Sequence, residues 1–189
     1  MRIVAPPGVF RPRSDTWLLA RLVGTEAALR GSTVLDVCAG SGALAVAAAR
    51  GGAGEVTAVD VSRRAVMATR LNARLNRVRV RALRGDLFAP VRGSRFDTIV
   101  SNPPYLPACD DELPRRGQAR AWDAGRDGRA LVDRIAAEAP ALLQPGGVLL
   151  LIHSSLTGVT GTVERLRRAG LDDVQVVARR RGPLGPLLT

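Results

Sequence analysis

The sequence contains no lysine; all 28 of its basic residues are arginine. It has one histidine, His153, one tyrosine, Tyr105, and an aromatic content of only 3%. With no nucleophile paired to it, the lone histidine reads as a capping or polar group at a strand end. The two cysteines, Cys38 and Cys109, stand apart with no CxxC pair and no metal-ligand spacing, so neither a zinc module nor a disulfide framework is expected. Sparse cysteine suits a reducing, cytoplasmic setting. No apolar run reaches the length of a membrane helix, since GGVLLLIH at 146–153 is strand length. The opening MRIVAPPGVF lacks the apolar core of a secretory leader.

What is present is a chain of 189 residues, enough for one domain with a sizeable core, with a net charge of +11. That charge suits a nucleic acid, a ribosome or an acidic protein surface. Exclusive use of arginine together with abundant Ala, Gly and Val also fits a GC-rich coding bias. Arg63, Arg70, Arg74 and Arg77 recur at helical spacing, and Arg79 and Arg81 continue the basic run. The plain alternative is a solvated helix face followed by a charge-protected sheet edge.

Strand and helix patterns alternate, which predicts an α/β fold with a mostly parallel central sheet and helices on both faces. Residues 1–30 form an N-terminal helical element, with Ser14 or Asp15 capping a helix through WLLARLVGTEAAL. STVLDV (32–37), EVTAVD (55–60), VRVRAL (78–83), FDTIVS (96–101) and GGVLLLIH (146–153) read as strands. SGALAVAAAR (41–50), a Ser62-capped helix over 62–76, RALVDRIAAEAPALL and TGTVERLRRAG read as helices, with a QPGG turn before the last strand. Residues 1–189 are read as one domain, without a separate substrate-recognition domain. The Pro- and charge-rich LPACDDELPRRGQAR (106–120) reads as a lid over the site or as a plain connection.

Two stretches carry chemistry. VLDVCAGSGALA (34–45) puts Asp36 at a strand end, then Gly40 and Gly42, then a helix, a pattern that lets a ligand approach the backbone closely. Asp60, ending the next strand, suits ribose hydroxyls, and Asp86 with the Leu87 N–H suits an adenine. These features fit NAD and S-adenosylmethionine equally, and Asp86 reads equally as a turn residue. The second stretch, FDTIVSNPPYLP (96–107), ends a strand in a rigid corner. There the Asn102 side chain and the Pro103 carbonyl present two acceptors to one point, which suits a planar NH2 group, and Tyr105 can stack on the plane behind it. Together the two stretches point to methyl transfer onto an sp² nitrogen.

On these motifs the chain resembles class I S-adenosylmethionine-dependent methyltransferases and, within them, the HemK/PrmC-like N5-glutamine group. NPPY alone is shared with adenine-N6 and guanine-N2 enzymes. AWDAGRDGRALVDRIAAEAPALLQPGG (121–147) and VFRPRSDTWLL (9–19) are similar to segments of the glutamine group and its shorter members. The resemblance implies a Rossmann-like fold with S-adenosylmethionine as cofactor. It places Asp36, Gly40 and Gly42 at the methionine part, Asp60 at the ribose, and Asp86 and Leu87 at the adenine. Asp15 and Thr16 fall near the cofactor carboxylate; Asn102, Pro103 and Tyr105 fall at the substrate amide, with Asn102 also bordering the cofactor. The implied substrate is the Gly-Gly-Gln segment of a translation release factor. An RNA or DNA amine is the second reading, and a non-catalytic cofactor-binding protein the third. Cys38 stands where the family has glycine. Shorter relatives pair with a small zinc-binding protein, so a small activating partner is a further implication. Trp122 reads as a packing residue or as a border of the substrate site.

Overall fold

The computed structural model describes residues 1–25, 29–112, 114, 119 and 122–179. Parts of the 106–120 loop and of the 121–147 segment fall on other residues and lie outside this description. In chain order the elements are α1 (Ser14–Thr25), β1 (Thr33–Val37), α2 (Ala43–Gly51), β2 (Glu55–Asp60), α3 (Arg63–Leu75), β3 (Arg81–Arg84), β4 (Phe96–Ser101), α4 (Ala130–Glu138), β5 (Leu143–Leu151) and α5 (Val159–Arg168). The sheet order is β3-β2-β1-β4-β5, and every pair is parallel. This is the Rossmann-like α/β arrangement.

The central strands are apolar on both sides because both sides are covered. In β1, Val34 packs with Leu19, Val23, Leu44 and Ala48 from α1 and α2, whereas its neighbour Leu35 packs on the other side with Ile99 and Ile135 of α4. Leu35, Ile99 and Ile135 are fully buried, each contributing about 1.5–3 kcal/mol of transfer free energy. Ala43–Ala48, four of its six residues alanine, is buried throughout, which lets α2 lie close between sheet and α1.

Several boundaries differ from the sequence expectation for identifiable reasons. Ser14 and Asp15 are helical residues of α1 rather than caps, because Trp17 N–H already bonds the Arg13 carbonyl. Ser62 does cap α3, accepting from Ala65 N–H at 3.4 Å. At the other end of α3, Arg77 takes a left-handed conformation and Val78 N–H bonds back to Ala73. That closure consumes the first residues of the expected 78–83 strand, so β3 begins at Arg81. QPGG is not a turn ahead of β5. It lies inside it as a bulge, with Leu143 opposite Phe96 and Val148 opposite Thr98.

The sheet order reverses between β1 and β4. Their C-terminal ends are level, Val37 beside Ser101, and the Ser101 hydroxyl donates to the Val37 carbonyl at 2.7 Å. The glycine loop and the NPPY corner therefore leave adjacent strand ends at the switch point, where open α/β sheets place ligands.

Candidate active site

A cleft runs across this switch point, bordered by Cys38, Gly40, Asp60, Asp86, Thr16 and Asn102 among others. Its floor is the loop after β1. Cys38 adopts φ +60, Gly40 +55 and Gly42 +77, so left-handed residues alternate with ordinary ones along the loop. At Gly42 a Cβ would stand 2.7 Å from the Thr69 side chain of α3, so glycine is required there by space as well as by conformation. Cys38 takes the left-handed conformation that glycine adopts most readily.

Three carboxylates follow from β1, β2 and β3. Asp36 is completely buried; its Oδ2 accepts from Ala45 N–H at 3.0 Å, while Oδ1 has no partner. Burial is the main reason its acidity falls, the pKa being pushed up to about 8, with nearby Asp60 adding to the rise. Asp60 accepts from Gly40 N–H and Ser62 N–H, both at 2.8 Å. It thus ties the glycine loop to the start of α3. Asp86 is gripped by Arg134 of α4 through two contacts at 2.8 and 3.2 Å. The adjoining Leu87 is buried with φ +43, and no described residue accepts its N–H.

The acceptor side is assembled from distant parts of the chain. Asn102 Nδ2 donates to Thr16 Oγ1 at 2.9 Å and to Asp15 Oδ2 at 3.2 Å. Tyr105 O–H donates to the same Asp15 oxygen at 2.5 Å. Burial first, and this bond second, push the Tyr105 phenol above its ordinary range, so it stays protonated. A carboxylate accepts only, so Asp15 decides which way the Asn102 amide points. Nothing among the described residues donates to Asn102 Oδ1 or to the Pro103 carbonyl.

Structure brings Asn102, Thr16, Gly40, Asp60, Asp86 and Leu87 onto one cleft. Asp15, Asp36, Gly42, Pro103 and Tyr105 are not among the residues bordering it, and the Asp15 side chain faces Asn102 and Tyr105. Residues the sequence reading passed over also border the cleft, namely Phe10, Asp123, Leu131 and Arg134. Gly128 was missed too; a Cβ there would meet the Tyr105 carbonyl at 2.6 Å. The signal for it was the Asp-Gly pair at 127–128. Leu106 N–H bonds the Trp122 carbonyl, and Ala108 N–H bonds Gly125. The start of the 106–120 loop is therefore bound to the segment from Trp122 onward. Trp122 itself does not border the cleft; Asp123 does. His153 Nδ1 sits 2.8 Å from the Ser154 carbonyl and 2.7 Å from Thr157 Oγ1, and burial lowers its pKa. It caps the turn after β5.

A family model described as the methyltransferase small domain matches residues 1–113. The chain is 36% identical over 182 residues to a Methanocaldococcus jannaschii protein provisionally named a protein N5-glutamine methyltransferase, covering 96% of this chain and 90% of that one. It is 37% identical over 158 residues to the release factor glutamine methyltransferase of Geobacter sulfurreducens, covering 78% of this chain but only 54% of that relative. The chain thus spans about half of that bacterial relative's length. The ribosomal protein L11 methylase structure from Lactobacillus delbrueckii superposes with a TM-score of 0.67 at 25% identity, covering 90% of this chain and 75% of that one. With the level strand ends, the glycine loop and the NPPY corner, these likenesses make the chain a member of the methyltransferase small domain family and, within it, a HemK/PrmC-like S-adenosylmethionine-dependent N-methyltransferase.

Proposed function

We propose that this enzyme methylates the side-chain amide nitrogen of a protein glutamine, with the Gly-Gly-Gln segment of a translation release factor as substrate and S-adenosylmethionine as donor. The residues present fit that cofactor. Asp36 leaves one buried carboxyl oxygen, Oδ1, without a partner among the described residues, a polar atom available to a bound group. The glycine loop leaves room for close approach, and Asp60 stands at the end of β2 within the cleft. In this reading Asp36, Gly40, Gly42 and Thr16 hold the methionine part, Asp60 the ribose, and Asp86 with Leu87 the adenine. When bound, the cofactor supplies an electrophilic methyl group on a sulfonium centre.

The observation that carries the reading is the pinned orientation of Asn102. With Nδ2 held by α1, Oδ1 and the Pro103 carbonyl are left as two acceptors for one NH2 group. An amide nitrogen is a poor nucleophile because its lone pair is delocalised. As its bond to carbon forms, the nitrogen becomes cationic and its N–H groups become stronger donors. Acceptors already in place stabilise that charge without reorganising, the counterpart of an oxyanion hole. They also align the nitrogen for attack. Tyr105, anchored through its hydroxyl, is a platform on which the planar amide stacks.

The glutamine reading is supported over other planar amines by relatives named for release factor glutamine methylation. The test is methylation with isotopically labelled S-adenosylmethionine of a purified release factor, its Gln→Ala form at the Gly-Gly-Gln segment, and naked RNA. Label on the glutamine alone is expected. Label on RNA with none on the release factor would transfer the enzyme to the nucleic-acid class.

A further inference from the structure

Residues 61–85 hold eight arginines and no acidic residue, so they account for eight of the eleven net positive charges. A uniform coding bias toward arginine would not place eight of the 28 arginines in these 25 residues while leaving them without an acidic residue. Two of the eight have structural work. Arg70 donates to the Ala82 carbonyl at 2.9 Å and Arg84 to the Val61 carbonyl at 3.2 Å. The other six, Arg63, Arg64, Arg74, Arg77, Arg79 and Arg81, are exposed, and none is paired with a carboxylate among the described residues. They follow the outer face of α3 and turn onto β3, the last strand of the sheet on that side. The cleft is touched only by the two ends of this stretch, at Val61, Ser62 and Ala65 and at Gly85, and none of its arginines borders the cleft. A partner seated on the arginines therefore leaves the cleft open.

We propose that the outer face of α3 and the β3 edge form a docking surface for the phosphate backbone of structured RNA, distinct from the methyl-acceptor site. Guanidinium groups bind phosphate through paired N–H donors and stay charged at any physiological pH. An acidic protein would need carboxylates placed to match each arginine, whereas a phosphate chain offers charge continuously. The segment has no aromatic residue, so it lacks the stacking platform of a single-strand binder. Backbone recognition of a duplex, without base readout, is what remains. Exposed Met67, Leu71 and Leu75 beside the arginines add apolar surface for ribose. The proposal deepens the glutamine reading by having the enzyme meet its protein substrate near RNA, but its test does not require methylation.

The experiment measures binding of a fluorescent 20-base-pair RNA duplex across a salt series. It compares wild type, Arg74→Gln/Arg77→Gln/Arg79→Gln/Arg81→Gln, and a control with equal charge removed elsewhere, Arg21→Gln/Arg50→Gln/Arg92→Gln/Arg167→Gln. Polyglutamate is offered as an alternative ligand, and thermal unfolding checks each fold. The first variant should lose about tenfold or more in RNA affinity at low salt, with a log–log salt slope shallower by about three. The control should retain most of the binding, and methylation of free protein substrate should stay within about twofold in both. Equal losses in the two variants, an unchanged first variant, or wild-type binding of polyglutamate but not RNA would each overturn the proposal.

Discussion

The two walls of the candidate site, including the residues that support it from behind, are built by different means. The wall after β1 and β2 is local: Asp36 bonds a backbone N–H nine residues on, and Asp60 bonds one twenty residues back. The wall after β4 is not: Asn102 and Tyr105 are held by Asp15 and Thr16, 86 to 90 residues earlier. The first wall is set once a strand–loop–helix unit forms. The second exists only when α1 has docked beside the end of β4. Damage to the first should therefore appear in cofactor affinity, and damage to the second in turnover.

The largest effect expected from breaking this division is at Asn102. Asn102→Ala should lower single-turnover methylation by about 10²–10³, the scale of losing one preorganised group, while calorimetry shows nearly unchanged cofactor affinity. A wild-type rate would reduce NPPY to a strand-ending turn. On the opposite wall, Asp60→Ala should weaken cofactor binding by about 2–3 kcal/mol, the scale of charged hydrogen bonds, with less effect on the rate at saturation. Next in size is Asp15→Asn, which gives Tyr105 and Asn102 a neighbour that also donates. Turnover should fall about 10–10²-fold with cofactor affinity preserved. A loss of cofactor affinity instead would move Asp15 to the first wall.

Asp36 sharpens the contrast through pH. Its carboxyl holds a proton in the folded chain up to about pH 8, whereas in the unfolded chain it releases one near its ordinary value of 3.8. Its contribution is therefore fully present below about pH 4 and is lost as pH rises toward 8. Across that window stability should fall by at most about 1.4 kcal/mol per pH unit. Asp36→Asn should flatten that slope in urea titrations at pH 5 and pH 8. An equal slope in the two proteins would mean that Asp36 is ionised in the fold. The smallest effect is at Cys38. Cys38→Gly relieves a left-handed conformation and should stabilise by about 1 kcal/mol, read as a higher midpoint with an unchanged m-value.

What was legible follows the same division. The strands β1, β2 and β4 were readable because each is a short β-branched run ended by Gly, Ser or Pro, and the helix α3 because Ser62 and its periodicity agree. The boundaries at Arg81 and Leu143 were not: the first depends on the left-handed Arg77 and the Val78–Ala73 bond that close α3, and the second on the irregular pairing with β4 opposite Asp97. Arg134 was unreadable because nothing local tells an arginine on a helix that it will grip Asp86, 48 residues away.

By itself the sequence determined the α/β class, a glycine loop open to close approach and a rigid NPPY corner carrying two acceptors, because these rest on backbone preferences of neighbouring residues. Only the tertiary structure decided that Asp15 orients the Asn102 amide, that Arg134 holds Asp86, and that six exposed arginines of 61–85 have no carboxylate partner among the described residues. Each of those depends on which distant groups meet, and side-chain hydrogen bonds of that range leave no periodic trace along the chain.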